Sequence, residues 1–301
     1  MYDLIIVGAG PAGLTAAIYA RRANRSVLVF EANTYGGQIV KAPFVYNYPG
    51  IKSISGPDLA KEMYEQALAL GAEFKFETVK KITKDKEAIT NSGTYKAKTI
   101  ILATGAENRR LNLPNELEYI GKGLSYCATC DGNFFKGKDV AVVGGGNTAL
   151  EDVLYLSNLC NKVYLIHRRD TFRGEDKYVE QIKSDQNIEL VLNSTVESIN
   201  GKDILESITV KDSDGNLRTI DISGLFIAVG QQPKNELFAD IIELDEKGYI
   251  KTEDGVHTNV EGIYVAGDTV NKELKQLTTA VSDGSIAATI AIKEIKLNES
   301  K

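Results

Sequence analysis

Apolar and polar positions along the chain trace one figure twice. Leu4, Ile5, Ile6 and Val7 make an apolar run that ends in Gly8-Ala9-Gly10. Val140, Ala141, Val142 and Val143 make another that ends in Gly144-Gly145-Gly146. The copies are offset by 136 positions without a gap: Gly13 falls on Ala149, Leu14 on Leu150, Tyr19 on Tyr155, Val27 on Val163 and Val29 on Leu165. Each copy predicts a buried strand, a glycine turn, a helix and a second strand. Two glycines allow a sharp turn and bring backbone N–H groups close to a pyrophosphate, and the following helix offers its positive end. The third position, Gly13 or Ala149, must be small for helix and strand to pack. A lone Gly-x-Gly-x-x-Gly is weak, but the strand before and the helix after it supply the confirming context in both copies. The expected class is therefore α/β, with two Rossmann-like nucleotide-binding domains.

The copies diverge where such a fold selects its ligand, at the end of the second strand. Copy one has Glu31, whose carboxylate suits the hydroxyl pair of a ribose and repels a 2′-phosphate. Copy two has His167, Arg168 and Arg169, with Arg173 four residues on. Guanidinium groups pair with phosphate oxygens in a bidentate way, each contact worth about 4 kcal/mol at about 4 Å before desolvation. Copy one accordingly reads as an FAD site and copy two as an NADPH site. In the second, Gly144, Gly146, Asn147, Thr148 and Ala149 make the turn and His167, Arg168, Arg169 and Arg173 the phosphate end. The bland alternative for the basic run is a solvated surface.

Elsewhere, Ser55, Gly56, Pro57 and Asp58 form a helix start, followed by Leu59, Met63, Ala67 and Leu70 at helical spacing and by Gly71 as a stop. Phe74 and Phe76 share one face of an alternating strand, Asn91-Ser92-Gly93 predicts a hairpin turn, and residues 99–102 a short buried strand. Residues 262–268 read as another strand entering a glycine turn, with Asp268 placed to hold a ribityl hydroxyl. A largely apolar helix over residues 276–295 follows, its Ala280, Ala287, Ala288 and Ala291 permitting close packing.

Between the copies lies Cys127-Ala128-Thr129-Cys130, followed by Asp131. Cys-x-x-Cys in an α/β protein reads as a dithiol redox site, and Asp131 is placed to serve as general acid and base for a leaving thiolate. Half a zinc site is the structural alternative. Zinc needs four ligands, and only Cys160, His167 and His257 remain, with no second closely spaced pair. No metal is expected. Cys160 reads as a small buried hydrophobe, His257 as a surface-loop residue, and Phe134 and Phe135 as either a docking surface or core.

Composition adds exclusions. The 301 residues are 43% hydrophobic and 25% charged, ordinary for a globular chain of about two domains. Lys and Arg number 35 against 41 Asp and Glu, a formal charge of −6, which argues against nucleic-acid binding. No basic leader with an apolar stretch precedes Leu4 and no apolar run reaches the roughly 20 residues of a membrane span, so a cytoplasmic protein is expected.

Taken together, residues 8–13, Gly36-Gly37-Gln38, Pro49-Gly50, Ala103-Thr104-Gly105, residues 127–131, 144–151 and 167–173, and Gly267-Asp268 resemble the low-molecular-weight thioredoxin reductases over nearly the whole chain. The resemblance implies a discontinuous FAD domain, residues 1–112 and 240–301, interrupted by an NADPH domain, residues 113–239, that carries the cysteine pair. It also implies a hinge between them, a homodimer, and thioredoxin as protein substrate. It implies FAD contacts at Gly8, Gly10, Pro11, Ala12, Gly13, Glu31, Ala32, Gly36, Gly37, Gln38, Asn47, Val79, Ala103, Thr104, Gly105, Gly267, Asp268, Lys275, Gln276 and Leu277. Catalysis would fall to Cys127, Cys130 and Asp131, with Cys130 nearer the flavin; which thiol attacks the partner stays open. The chain departs from the family pattern at Lys275, where Arg is common, and at Tyr48, where Trp is common. The alternative functions are a related flavoenzyme serving ferredoxin or a glutaredoxin-like protein, and a non-catalytic flavin redox sensor.

Overall fold

The computed structural model describes residues 1–300. They divide into two compact units, residues 1–107 with 232–300, and Asn108–Gln231. The first opens with β1 (Tyr2–Val7), α1 (Pro11–Arg22) and β2 (Val27–Phe30), the strand–turn–helix–strand of the first repeat. The second helix, α2 (Gly56–Ala69), starts where the sequence places it. Ser55 is its N-cap, accepting from Asp58 N–H at 3.1 Å and donating to Asp58 Oδ2 at 2.5 Å. Then come β3 (Glu73–Lys75), β4 (Lys81–Ile82), β5 (Glu87–Ile89) and β6 (Thr94–Leu102).

Two expectations change in detail here. The buried strand of residues 99–102 is the inner end of the nine-residue β6, because its outer half pairs antiparallel with β5 across the Asn91-Ser92-Gly93 turn. Phe74 packs on the core, but Phe76 lies past the end of β3 and is exposed, so the two do not share a strand face.

The chain crosses to the second unit through β7 (Ala106–Asn108). That unit contains β8 (Leu124–Ser125), the one-turn α3 (Ala128–Asp131), then β9 (Asp139–Gly144), α4 (Asn147–Ser157) and β10 (Lys162–Ile166) of the second repeat. It continues with α5 (Asp176–Ser184), β11 (Ile188–Val191), the meander β12 (Ser194–Asn200), β13 (Ser207–Asp212) and β14 (Leu217–Asp221), and β15 (Gly224–Ala228). The return strand β16 (Gln231–Pro233) pairs with β7, and β17 (Ile263–Val265) and α6 (Leu277–Glu299) complete the first unit.

The first unit's sheet runs β3-β2-β1-β6, with β17 also parallel on β6 and the β5–β4 hairpin as an extension. The second unit's sheet is parallel in the order β11-β10-β9-β15-β8. Strands buried on both faces explain why both repeats read as unbroken apolar runs. Helices α1 and α6 pack backbone to backbone: a Cβ on Gly284 would lie 2.1 Å from the Ala12 carbonyl oxygen, and Ala287, Ala288 and Ala291 are fully buried beside it. That packing fixes both helix N-termini near the carboxyl end of β1, the end at which open α/β sheets take ligands.

Candidate active site

In the first unit, Gly8 has φ +108°, and a Cβ there would sit 2.3 Å from the Ala103 carbonyl oxygen; one on Gly13 would sit 1.9 Å from the Gly8 carbonyl oxygen. These two glycines are demanded by packing. Gly10 is not: its Cβ would meet nothing nearer than the Gly37 Cα at 3.9 Å. Gly10 is the N-cap of α1 with no side-chain cap, so the first-turn N–H groups face open space that a Cβ would fill. Glu31 is locked beside the turn, its two carboxylate oxygens each accepting a backbone N–H, from Ala9 and Asn33, at 3.0 Å. Gly36, at φ +99°, donates its N–H to the Ala9 carbonyl at 2.7 Å, which brings the segment of Gly36, Gly37 and Gln38 against the same turn.

The far side is built from the ends of β6 and β17 and the start of α6. Gly267 donates to Asp283 Oδ2 at 3.0 Å, and Asn47 Nδ2 donates to Gln276 Oε1 at 3.1 Å across to the N-cap of α6. Asp268 is largely buried, with its Oδ1 closed off from solvent, and desolvation pushes its carboxyl up with Lys272 opposing. Lys272 Nζ is 3.3 Å from Asp268 Oδ1, yet that buried oxygen has no hydrogen bond. The ion pair is off the direction an acceptor oxygen requires, so Oδ1 still lacks a donor. A sugar-alcohol hydroxyl is the group it fits. Lys275 lies above the Tyr249 ring, and burial brings its ammonium down to about 8 against the pull of Asp268.

Of the residues singled out for FAD, the structure gathers Gly8, Gly10, Ala12, Gly13, Glu31, Gly36, Gly37, Ala103 and Gly267 into one contiguous set of contacts. Asn47 and Gln276 form a pair within the same unit. Val79 is set into the core with Leu28, Phe30 and Val265. Sequence reasoning missed Asn235. It is fully buried, its Oδ1 accepts from Thr104 at 2.8 Å and from Thr269 at 2.7 Å, and its Nδ2 donates to the Gly248 carbonyl at 3.0 Å. It ties the turn after β6 to the turn holding Asp268. Nothing local marks it beyond a polar residue shortly after Pro233.

The second repeat has the same logic. A Cβ on Gly144 would lie 2.4 Å from the Ala228 carbonyl oxygen, and one on Gly145 2.2 Å from the His167 ring, but one on Gly146 would meet nothing within 4 Å. Gly146 is the N-cap of α4, again without a side-chain cap. Both repeats thus keep a glycine that the protein itself does not need, at the place where a pyrophosphate would approach. The His167 ring is buried beneath the turn, stacked on Phe172, and burial pushes its pKa down. Arg168, Arg169 and Arg173 are exposed, and Arg173 N–H donates to the Gly145 carbonyl at 2.8 Å, so the arginine loop hangs on the glycine turn. Asn147 fastens the start of α4 to Glu175, donating at 2.9 Å and accepting at 2.8 Å.

The cysteines lie in this second unit and form a disulfide, with Cα atoms 5.3 Å apart. Cys127 is the N-cap of α3, and its Sγ accepts the Cys130 N–H at 3.2 Å. Ala128 is buried in the cluster that includes Ala149 and Val153, and a Cβ on Gly132 would lie 3.0 Å from both Tyr155 and Leu156. The redox turn is therefore seated on α4, the helix opened by the second glycine turn. Asp131 is half-buried; desolvation raises its carboxyl pKa and a 2.6 Å hydrogen bond from Ser125 opposes that rise. Phe134 and Phe135 part company. Phe135 is core, edge-on to Phe226, and Phe134 is half exposed. Cys160 is buried, its thiol pushed up to about 11 by desolvation. Among the described residues no group of three His, Cys, Asp or Glu side chains is placed to hold a metal, and no helix is long and apolar enough to cross a membrane.

Two glycine turns that each open a helix, with a disulfide seated on one of those helices, define the class of nucleotide-dependent disulfide oxidoreductases. Residues 2–284 match the pyridine nucleotide-disulphide oxidoreductase family, and the chain belongs to it. It is 44% identical to a thioredoxin reductase of Treponema pallidum, over 98% of this chain and 97% of that protein. It is 42% identical to one of Listeria monocytogenes, over 98% and 94%. A solved thioredoxin reductase of Streptococcus pyogenes superposes with a TM-score of 0.94 at 39% identity, covering 98% of each chain.

Proposed function

We propose that the chain is an NADPH-dependent thioredoxin-disulfide reductase, acting as a homodimer in the cytoplasm. The observation that carries the reading is the Cys127–Cys130 disulfide, with the half-buried acid Asp131 beside it, seated on the helix that the second glycine turn opens. Gly8, Gly10, Glu31, Asp268 and Gln276 would hold FAD in the first unit and Gly144, Gly146, Arg168, Arg169 and Arg173 would hold NADPH in the second, and the bound pair would supply two electrons for the disulfide. When the disulfide accepts two electrons the S–S bond breaks and two thiolates form, one of which takes a proton from Asp131. The Cys130 N–H directed at Cys127 Sγ favours a thiolate at Cys127, and we assign it the attack on the partner disulfide. A mixed disulfide forms and one partner thiolate leaves. Cys130 then gives its proton to Asp131, attacks Cys127 Sγ and restores the intramolecular bond, and the partner departs with both sulfurs as thiolates, which take their protons from solvent. Tyr19 on α1 and Ile286 on α6 are exposed apolar side chains suited to a subunit contact.

The test is a matrix of donors (NADPH, NADH, reduced ferredoxin) against acceptors (thioredoxin, a glutaredoxin-like protein, a chromogenic disulfide). NADPH with thioredoxin should be the productive pair. Cys127→Ser and Cys130→Ser should each abolish thioredoxin reduction while leaving flavin reduction by NADPH intact. No turnover by fully FAD-loaded enzyme with its cognate thioredoxin sinks the proposal.

A further inference from the structure

Asp131 has one hydrogen-bond partner for its carboxyl among the described residues, the Ser125 hydroxyl at 2.6 Å. That hydroxyl lies at the end of β8, is itself buried, and has two further contacts, both to Cys127. It accepts the Cys127 N–H at 3.0 Å and lies 3.3 Å from the Cys127 carbonyl oxygen. A hydroxyl has one hydrogen to give. With Asp131 ionised, that hydrogen belongs on Oδ2, the shorter and charge-assisted contact. With Asp131 protonated, the acid becomes the donor to Ser125 Oγ, and the hydroxyl hydrogen needs another acceptor. The Cys127 carbonyl is in reach, so neither protonation state leaves a buried polar atom unpaired.

We propose that Ser125 is a positioning residue for the redox pair, holding Asp131 against the cysteine turn and following it through each proton transfer by switching its own hydrogen between Asp131 Oδ2 and the Cys127 carbonyl. The inference deepens the reductase reading and rests on it for the role of Asp131. The chemistry balances as a relay. In the mixed disulfide, Cys130–SH gives its proton to the Asp131 carboxylate, the resulting thiolate attacks Cys127 Sγ, and the S–S bond to the partner breaks as its electron pair leaves on the partner sulfur. Ser125 ends with its hydrogen turned to the Cys127 carbonyl, having neither gained nor lost a proton.

The groups acting on the Asp131 carboxyl are few. Burial raises its proton affinity and the Ser125 hydroxyl lowers it. The packed helix α4 presents Tyr155 and Leu156 to the neighbouring Gly132 and carries Glu151 and Asp152 along its length. Asp131 has no ion pair among the described residues. Removing the hydroxyl therefore leaves burial unopposed, and the acid keeps its proton to higher pH.

The experiment reduces the holoenzyme with a phosphine and desalts it anaerobically. It then follows exchange with a small aromatic disulfide from pH 5 to pH 9, using neither NADPH nor thioredoxin. Asp131→Asn should remove the acid-limb inflection. Ser125→Ala should move it upward by about one pH unit, roughly what one charge-assisted hydrogen bond is worth. Ser125→Thr should return it to the wild-type position. Ser125→Gly serves in place of Ser125→Ala if the latter is not recovered folded. A Ser125→Ala profile overlying the wild type while Asp131→Asn differs overturns the proposal. So does a Ser125→Thr profile matching Ser125→Ala, which would make the residue a packing element. An upward shift in a chain that fails to reduce thioredoxin upholds the Ser125 assignment and rejects only the choice of partner.

Discussion

Lys275 Nζ lies 3.8 Å from the centroid of the Tyr249 ring, and it is the residue that breaks the Arg-Gln pattern before the last helix. Arg would remain charged at any accessible pH; Lys need not. Burial brings Lys275 down to about 8, with Asp268 and Asp245 drawing it up and Lys272 and Lys247 pushing it down. The ring face favours the charged form and opposes burial. Below pH 8 Lys275 then adds a second cation to Lys272 near the orphaned Asp268 oxygen, and above it only a neutral amine.

A cation there stabilises an anionic reduced flavin, so the flavin midpoint potential should drop more steeply as pH rises through about 8. Lys275→Arg should remove that extra drop, and Lys275→Met should lower the potential below about pH 8 and approach the wild-type value above it. Dye-equilibrated reductive titrations at pH 7 and pH 9 measure this. Equal slopes in wild type and Lys275→Arg contradict the assignment.

The glycines of the turns should separate into two kinds on substitution. Gly13→Ala puts a Cβ 1.9 Å from a backbone oxygen and should cost folding and flavin retention together. Gly146→Ala puts a Cβ into open space and should leave the melting temperature unchanged. It should nevertheless weaken NADPH binding at least tenfold, about 1.4 kcal/mol, because the methyl occupies the approach of the pyrophosphate. Thermal melts beside dinucleotide titrations read both effects, and full NADPH affinity in Gly146→Ala removes the second cradle from the account.

Arg168 and Arg169 should act on the cofactor phosphate and His167 on the turn beneath it. Replacing both arginines by Ala is expected to raise KM for NADPH by tenfold or more with little change for NADH. His167→Ala should instead lower the melting temperature and affect both cofactors alike, since its ring fills the space under Gly145. Steady-state kinetics with the two dinucleotides decide it; equal losses for the arginine variant contradict the phosphate role.

The parts legible in the sequence were those whose cause is local. The run Leu4, Ile5, Ile6 and Val7 is buried on both faces and must be apolar throughout, and Ser55 with Asp58 caps α2 through neighbours in the chain. Cys127, Cys130 and Asp131 lie within five consecutive positions, so their chemistry could be read at once. What escaped depends on long-range contacts. Asn235 meets Thr104 across 131 positions, and Asp283 meets the Gly267 N–H from the middle of a helix that reads as plain core. Ser125 stood two residues from the cysteine motif, yet its role appears only when α3 folds Asp131 back over it.

Asp152, on the helix that seats the redox turn, should make stability depend on pH in a defined direction. Desolvation first, and then the neighbouring Glu151, raises its carboxyl to about 7 from an ordinary value near 3.8. Between those values the folded chain holds a proton that the unfolded chain has released, so stability falls as pH rises through the window and stays low above it. Asp152→Asn keeps the shape and removes the titration. Its melting temperature should lie close to wild type at pH 4, exceed it increasingly up to pH 7, and hold a gain of several degrees at pH 8. Paired melts at pH 4, 5.5, 7 and 8 provide the measurement. Parallel curves for the two proteins would mean that Asp152 reaches solvent and ionises as an ordinary carboxylate.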